Sequence, residues 1–215
     1  MIHRFKYVLF DMDNTLLKNM VIGVVAQKKG FTEELDKLLE RSIVSHEKNK
    51  EIALLLKGIS EKELLAIFRT VPIQDHAEDV IIALKKKGIR TGIATNSYLY
   101  LAEDLKRRLG IDDVYGNTLV VKKGMITGEL LLHNTSLEKK FDGCQMHPIC
   151  KRSIIDRICE TYKISPGDVI AVGDGRIDIC MLETAGLGIA FNASFEVQQH
   201  ADISTNDLRV ILKYI

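Results

Sequence analysis

The strongest constraint on the fold is an alternation of short apolar runs with amphipathic helical patterns. Apolar runs bounded by turn residues predict strands at 5–10, 89–94, 114–121, 129–133, 168–172 and 187–191. Apolar residues at helical spacing predict helices at 20–29, 32–48, 60–69, 76–87, 98–109, 149–162, 177–184 and 206–214. Such an alternation is typical of a parallel sheet with helices on both faces. The sequence therefore predicts an α/β fold.

A largely helical segment, 18–74, separates the first predicted strand from the others. Thr32 is placed to cap one of its helices, and the residues that begin at Ser60 have the spacing of a capping box. Because the strand–helix alternation resumes only after this segment, we expect it to form a helical cap inserted after the first strand. The core is then formed by 1–17 and 75–215.

Charge and composition restrict the possible partners. The formal net charge is +1, from 30 basic and 29 acidic residues, so there is no basic surplus for nucleic acid or an anionic membrane. No apolar run approaches the roughly 20 residues that span a bilayer. Acidic residues near the start argue against a secretion signal, and the four cysteines suggest reduced thiols. We expect a cytoplasmic protein that binds neither nucleic acid nor membrane.

Polar and acidic residues follow three of the predicted strands. They are Asp11, Asp13 and Thr15 after the first, Thr95, Asn96 and Ser97 after 89–94, and Gly173, Asp174, Gly175 and Asp178 after 168–172. In an open parallel sheet the site lies beyond the carboxyl ends of the strands. Clustered carboxylates are unfavourable unless a cation neutralises them. Asp11, Asp13 and Asp174 therefore predict a hard divalent ion. A few protein oxygen ligands together with a phosphate are typical of Mg²⁺.

The same strand ends offer groups for a phosphate. Thr95 and the neighbouring amide N–H groups suit phosphate oxygens, and Lys151, at the start of a predicted helix, can supply a positive charge. Each residue also has a simpler interpretation when taken alone. The aspartate pair can form an Asx turn or a helix cap, Asp178 can be an exposed helical residue, and either Lys151 or Arg152 can face the core.

Taken together, "DMDNT", "ATNS", a lysine and "GDGRID" resemble the four motifs of the haloacid dehalogenase superfamily of aspartate-nucleophile phosphatases. The resemblance covers the whole chain. It is strongest to the phosphoserine phosphatases with a small helical cap, and it extends to "DLRVILKYI" at the end of the sequence. It implies a Rossmann-like core and a Mg²⁺-dependent phosphomonoester hydrolase that acts on a small phosphorylated metabolite.

The resemblance also assigns roles to residues. Asp11 would be the nucleophile that forms an aspartyl-phosphate, and Asp13 would be the general acid and base. Thr95, Asn96 and Lys151 would hold the substrate phosphate. The metal would be bound by Asp11, Asp174 and the backbone carbonyl of Asp13. Asp178 would support the metal or its waters.

Three positions depart from the phosphoserine phosphatase pattern. Met20 occupies the position of a glutamate that recognises the substrate amino group. The cap stretch 46–57 lacks the arginine that pairs with the substrate carboxylate, Arg41 being the nearest, and Ile177 replaces an asparagine. The substrate is therefore phosphoserine or a different small phosphomonoester, with Met20 facing it. A phosphotransferase and a non-catalytic phosphate-binding module are the alternative functions.

A second group of residues, Cys144, His147 and Cys150, has a spacing compatible with zinc. A structural zinc site needs four ligands, and the spacing offers no fourth. The alternative interpretation is an irregular loop with reduced cysteines.

Overall fold

A single twisted sheet organises the protein. The computed structural model describes residues 5–137 and 146–215. Within them the strands are β1 (Tyr7–Phe10), β2 (Arg90–Tyr98), β3 (Asp113–Lys122), β4 (Met125–Leu131), β5 (Val169–Gly173), β6 (Leu187–Phe191) and β7 (Ile203–Thr205). Their order in the sheet is β4-β3-β2-β1-β5-β6-β7, and every neighbouring pair is parallel except β3 and β4. The predicted α/β fold is confirmed.

Helices lie on both faces of this sheet and beyond the carboxyl ends of its strands. They are α1 (Val21–Lys29), α2 (Thr32–Glu40), α3 (Ser45–Leu55), α4 (Glu61–Phe68), α5 (Ala77–Lys86), α6 (Leu99–Leu109), α7 (Lys151–Tyr162), α8 (Ile179–Thr184) and α9 (Phe195–Gln198). Successive side chains of a strand point to opposite faces. Val8 and Phe10 of β1 accordingly pack in the core with α5 and α6, whereas Tyr7 and Leu9 pack with α7 and α8.

The helices α1 to α4, which follow β1, differ in two respects from the prediction. The single helix predicted at 32–48 is wrong, because the chain is extended from Arg41 to Val44 and separates α2 from α3. The β-branched pair Ile43-Val44 disfavours a continuous helix there. Thr32 is also not the cap, since Phe31 occupies that position. One half of the predicted capping box is confirmed, because the Ser60 side chain accepts a hydrogen bond from the Glu63 N–H at 3.1 Å. The Glu63 carboxylate accepts a hydrogen bond from the Lys29 ammonium at 2.8 Å.

Helices α1 and α4 share an apolar cluster with the sheet. Val21 of α1 and Phe68 of α4 belong to the same apolar cluster as Phe10 of β1. The chain enters and leaves this region side by side, since Leu17 and Ile73 form an antiparallel bridge. The division into a cap at 18–74 and a core at 1–17 and 75–215 stays a prediction.

Two further strand and helix predictions needed correction. The strand predicted at 129–133 begins earlier, at Met125. Lys123 and Gly124 both have a left-handed backbone conformation and form a tight hairpin turn directly before β4. The α-helix predicted at 206–214 is a short 3₁₀ helix, Leu208–Lys213. Its buried residues Leu208 and Ile211 are three apart, which is the repeat of a 3₁₀ helix.

Strand β7 and helix α9 were not predicted. Both are too short for their periodicity to be visible in the sequence, at three and four residues. Within the described part of the chain, none of the helices is both long and apolar enough to cross a membrane.

Candidate active site

The carboxyl ends of β1, β2 and β5 meet below a cavity of about 290 Å³. Residues of α1, α2 and α3 contribute its other wall. The lining residues are Asp11, Asp13, Asn14, Met20, Ile22, Leu39, Ser45, Lys48, Asn49, Ile52, Asn96, Ser97, Tyr98, Asp174, Gly175, Ile177 and Asp178. Motif residues from all three strand ends therefore reach one cavity.

A buried lysine lies at the base of this site. The Lys151 ammonium donates hydrogen bonds to the carboxylates of Asp11 and Asp178, and it is 1% exposed. Arg152 is exposed, so Lys151 is the residue of the pair that faces the core. Burial lowers the pKa of Lys151, but Asp11 and Asp178 outweigh this effect and raise it above its usual value. The lysine is therefore held in its charged form.

Three carboxylates converge beside the lysine. One oxygen from each of Asp11, Asp174 and Asp178 lies within 4.8 Å of the others. Burial raises the pKa of Asp11, an effect that Lys151 opposes and the neighbouring aspartates reinforce. Burial and Asp178 likewise raise the pKa of Asp174. A single lysine does not relieve the repulsion among these groups, and carboxylate oxygens are the ligands that a hard divalent cation prefers.

Asp13 lies at the cavity but outside the cluster of three. Its carboxylate accepts a hydrogen bond from the Val21 N–H at 2.9 Å, at the start of α1. Burial and Asp174 raise the pKa of Asp13 to about 7, while the Val21 N–H opposes the shift. Asp13 is thus suited to take up and give off a proton near neutral pH.

The backbone after β5 fixes Asp178. Its carboxylate accepts hydrogen bonds from the N–H groups of Asp174 at 3.2 Å and Gly175 at 3.0 Å. A Cβ at Gly173 would lie 2.5 Å from the Asp178 carboxyl carbon, so only glycine fits there. Asp178 is fully buried, which excludes the exposed helical residue considered from sequence.

The strand end of β2 is less directly exposed to the cavity. Thr95 is fully buried, and its hydroxyl accepts a hydrogen bond from the Ser97 N–H at 3.0 Å. Neither Thr95 nor Lys151 is among the residues that line the cavity. Asn96 does line it, and its side chain pairs with Asn49 of α3 at 2.7 Å. Asn117 of β3, fully buried, donates to the Asn96 carbonyl at 2.9 Å. Phosphate binding by Thr95, Asn96 and Lys151 stays a prediction.

Sequence reasoning missed Asn49 and Asn117. Asn117 was detectable, because a buried amide within an apolar strand requires a partner. Asn49 was not, because it directly follows the helix predicted at 32–48 and no pattern in the sequence marks it. Together these residues bridge the cap helix α3 to the ends of β2 and β3.

We expect Asn49→Ala to lower the free energy of unfolding by about 1 kcal/mol, since it removes a partly buried amide pair. It should also raise KM several-fold, because α3 carries one wall of the cavity. Urea unfolding and steady-state kinetics measure the two effects. Lys50→Ala, at the exposed next position of α3, is the matched control and should change neither. An unchanged KM in Asn49→Ala would show that the wall does not depend on this bridge.

The cysteine–histidine group is only partly described. Cys144 lies outside the described residues, and Cys150 accepts a hydrogen bond from the Ser153 hydroxyl at 3.1 Å. The Nδ1 atom of His147 is buried and has no hydrogen-bond partner among residues 5–137 and 146–215. Burial and the nearby Lys151 lower the pKa of His147. Zinc binding by Cys144, His147 and Cys150 stays a prediction.

Comparisons with known proteins agree with this geometry. The model of the haloacid dehalogenase-like hydrolases matches residues 5–186. A phosphoserine phosphatase of Methanocaldococcus jannaschii is 34% identical over 98% of this chain and 97% of its own length. One of Archaeoglobus fulgidus is 32% identical over 92% of this chain, and the match spans 55% of that longer relative.

Solved structures give the same result. A substrate-bound phosphoserine phosphatase complex superimposes with a TM-score of 0.84 at 30% identity and covers the full length of both chains. A phospho-aspartyl intermediate analogue of phosphoserine phosphatase superimposes with a TM-score of 0.83 at 30% identity, over 99% of both chains. The chain belongs to the haloacid dehalogenase-like hydrolase family. Within that family it is a phosphatase of the phosphoserine phosphatase-like type.

Proposed function

We propose that this protein hydrolyses small phosphomonoesters through a covalent phosphate on Asp11. The supporting observation is the cavity itself, which is lined by both Asp11 and Asp13 and lies beside a charged lysine. A carboxylate oxygen of Asp11 attacks phosphorus, the ester P–O bond breaks, and Asp13 gives its proton to the leaving alcohol. Asp13 then takes a proton from a water whose oxygen attacks phosphorus, and the bond to Asp11 breaks to release inorganic phosphate.

The acidic cluster fits Mg²⁺. Asp11 and Asp174 would hold it through their carboxylates, Asp13 would hold it through its backbone carbonyl, and Asp178 would support its waters. When bound, the ion neutralises charge on the phosphoryl group. The Lys151 ammonium keeps Asp11 in place, and Thr15 and Asn14 orient Asp174 through hydrogen bonds of 3.3 Å. Phosphoserine, the substrate of the named relatives, is one candidate ester.

We expect phosphate release from an aryl phosphate to require Mg²⁺ and to fall at least about 100-fold with chelator, since the ion stabilises developing charge. Mg²⁺ at 100 times its Kd should also stabilise the fold by about 2.7 kcal/mol. Colorimetric phosphate assays and thermal unfolding measure these effects.

Asp174→Asn is the test variant and should lose most of the Mg²⁺-dependent stabilisation. Asp36→Asn, an exposed aspartate of α2, is its control. Chelator-insensitive release would contradict the metal assignment. Transfer to an added alcohol in place of phosphate release would indicate a phosphotransferase.

A further inference from the structure

Five apolar side chains, which we call the apolar wall, line the cavity together with polar residues. Met20 and Ile22 come from the start of α1, Leu39 from α2, Ile52 from α3, and Ile177 from the turn after β5. All five side chains are only partly buried in the protein itself. They converge on the cavity from four separate elements, so a ligand body that fills it would cover them.

The charges at the cavity are distributed unevenly. Among the described lining residues the carboxylates are those of Asp11, Asp13, Asp174 and Asp178, all at the phosphoryl end. In the proposed function these four are engaged by Lys151, by backbone N–H groups and by the metal. On the cap side the charged lining residue within the described chain is Lys48, whose ammonium donates to the Leu39 carbonyl at 2.7 Å.

We propose that the substrate is a phosphomonoester with a largely apolar body that carries no ammonium group. This inference rests on the proposed function, because that function assigns the four aspartates to the phosphoryl end. In the remaining space a substrate ammonium would face the five apolar side chains, the like-charged Lys48 and neutral polar groups, which are those of Ser45, Asn49, Asn96, Ser97 and Tyr98. Burying a charge there without a carboxylate partner is unfavourable, whereas an alkyl chain would be removed from water against the apolar side chains.

Met20 is the residue through which this selectivity can be tested. It lies directly before α1, its side chain forms no cap hydrogen bond, and its terminal methyl lies 4.0 Å from the position of a Cβ at Gly23. A carboxylate at this position is compatible with the helix, because negative charge is favoured at a helix N-terminus. Met20→Glu therefore adds a partner for an ammonium, and Met20→Gln has the same shape without the charge.

The experiment compares esters that differ in a single group. Propyl phosphate and phosphoethanolamine have the same number of heavy atoms and differ by a methyl against an ammonium. We expect kcat/KM to be at least about tenfold higher for propyl phosphate, because the unpaired ammonium loses its hydration. In the series from methyl to butyl phosphate, each methylene should raise kcat/KM by about fourfold until the cavity is filled. Phosphoserine should be a poor substrate.

The variants test the cause of the selectivity. Met20→Glu should narrow the preference for propyl phosphate by about tenfold or reverse it, since it supplies a charged partner for the ammonium. Met20→Gln should keep the preference. Equal or faster turnover of phosphoethanolamine or phosphoserine by the unmodified protein would overturn the substrate inference and leave the phosphatase function intact.

Binding measurements distinguish a failure of the proposed phosphatase function from a failure of the substrate inference. If no ester, including an aryl phosphate, is hydrolysed with Mg²⁺, the proposed function fails. Calorimetry with butylphosphonate and 3-aminopropylphosphonate then still measures the cavity's preference. At least about tenfold tighter binding of butylphosphonate would support the apolar cavity. Equal binding, or no binding of either compound, would overturn it.

Discussion

Asp11→Asn should lower kcat by roughly 10⁴-fold or more, which is the scale of loss when a nucleophile is removed. The protein should remain folded. Asparagine has the same shape but no carboxylate to attack phosphorus. The fold should tolerate the change, because Lys151 keeps its hydrogen bond to Asp178 and one member of a repelling carboxylate cluster becomes neutral. Steady-state kinetics with an aryl phosphate and thermal unfolding measure the two quantities.

Two further variants make this result specific. Asp36→Asn makes the same change at an exposed position of α2 and should leave kcat unaltered. Asp13→Asn keeps the Asp11 nucleophile, so rapid quenching should still detect a protein-bound phosphate that turns over slowly. Turnover of Asp11→Asn at the rate of the unmodified protein would remove Asp11 from the nucleophile's role.

Lys151→Met should be the most destabilising substitution at the site, lowering the free energy of unfolding by about 3–5 kcal/mol at neutral pH. Methionine approximates the length of the lysine side chain without its charge. The change therefore leaves the buried carboxylates of Asp11 and Asp178 without the cation that pairs with both. Denaturant unfolding measures the loss. Activity should fall as well, because Asp11 loses the group that holds it in place.

Arg152→Met is the matched control, since it makes the same kind of change at the exposed next position of α7. It should alter the free energy of unfolding by about 1 kcal/mol or less, since interactions of exposed charged side chains contribute little. Mg²⁺ should stabilise the Lys151→Met variant more than it stabilises the unmodified chain, because the ion then neutralises carboxylates that have lost their ammonium. If Lys151→Met and Arg152→Met lower the free energy of unfolding equally, the ion pair at the base of the site does not contribute specifically to stability.

The sequence was informative wherever one residue's chemistry required a particular neighbour. Repelling aspartates after a buried strand implied a cation, and the structure places Asp11 and Asp174 together with Asp178 and the charged Lys151. A capping spacing implied the helix start at Ser60, which the structure confirms. In each case the evidence is local, because a charge or an unpaired N–H must be satisfied within a few ångströms.

The sequence was less informative about the cap. The break between α2 and α3 depends on small differences in helix propensity, which packing readily overrides. That break places Leu39 and Ile52 at the same cavity and lets Lys48 reach the Leu39 carbonyl. Met20 was recognised from sequence as substrate-facing, but the apolar wall that it joins comes from residues far apart in the chain.

The sequence by itself determined the α/β fold and the chemistry expected at the phosphoryl end. Strand periodicity and the residues that follow each strand carry that information along the chain. Only the tertiary structure decided that Lys151 faces the site in place of Arg152, that Asn49 and Asn117 connect the cap to the sheet, and which side chains enclose the substrate. These features depend on contacts between distant elements, whose relative positions are set by packing and not by any local pattern.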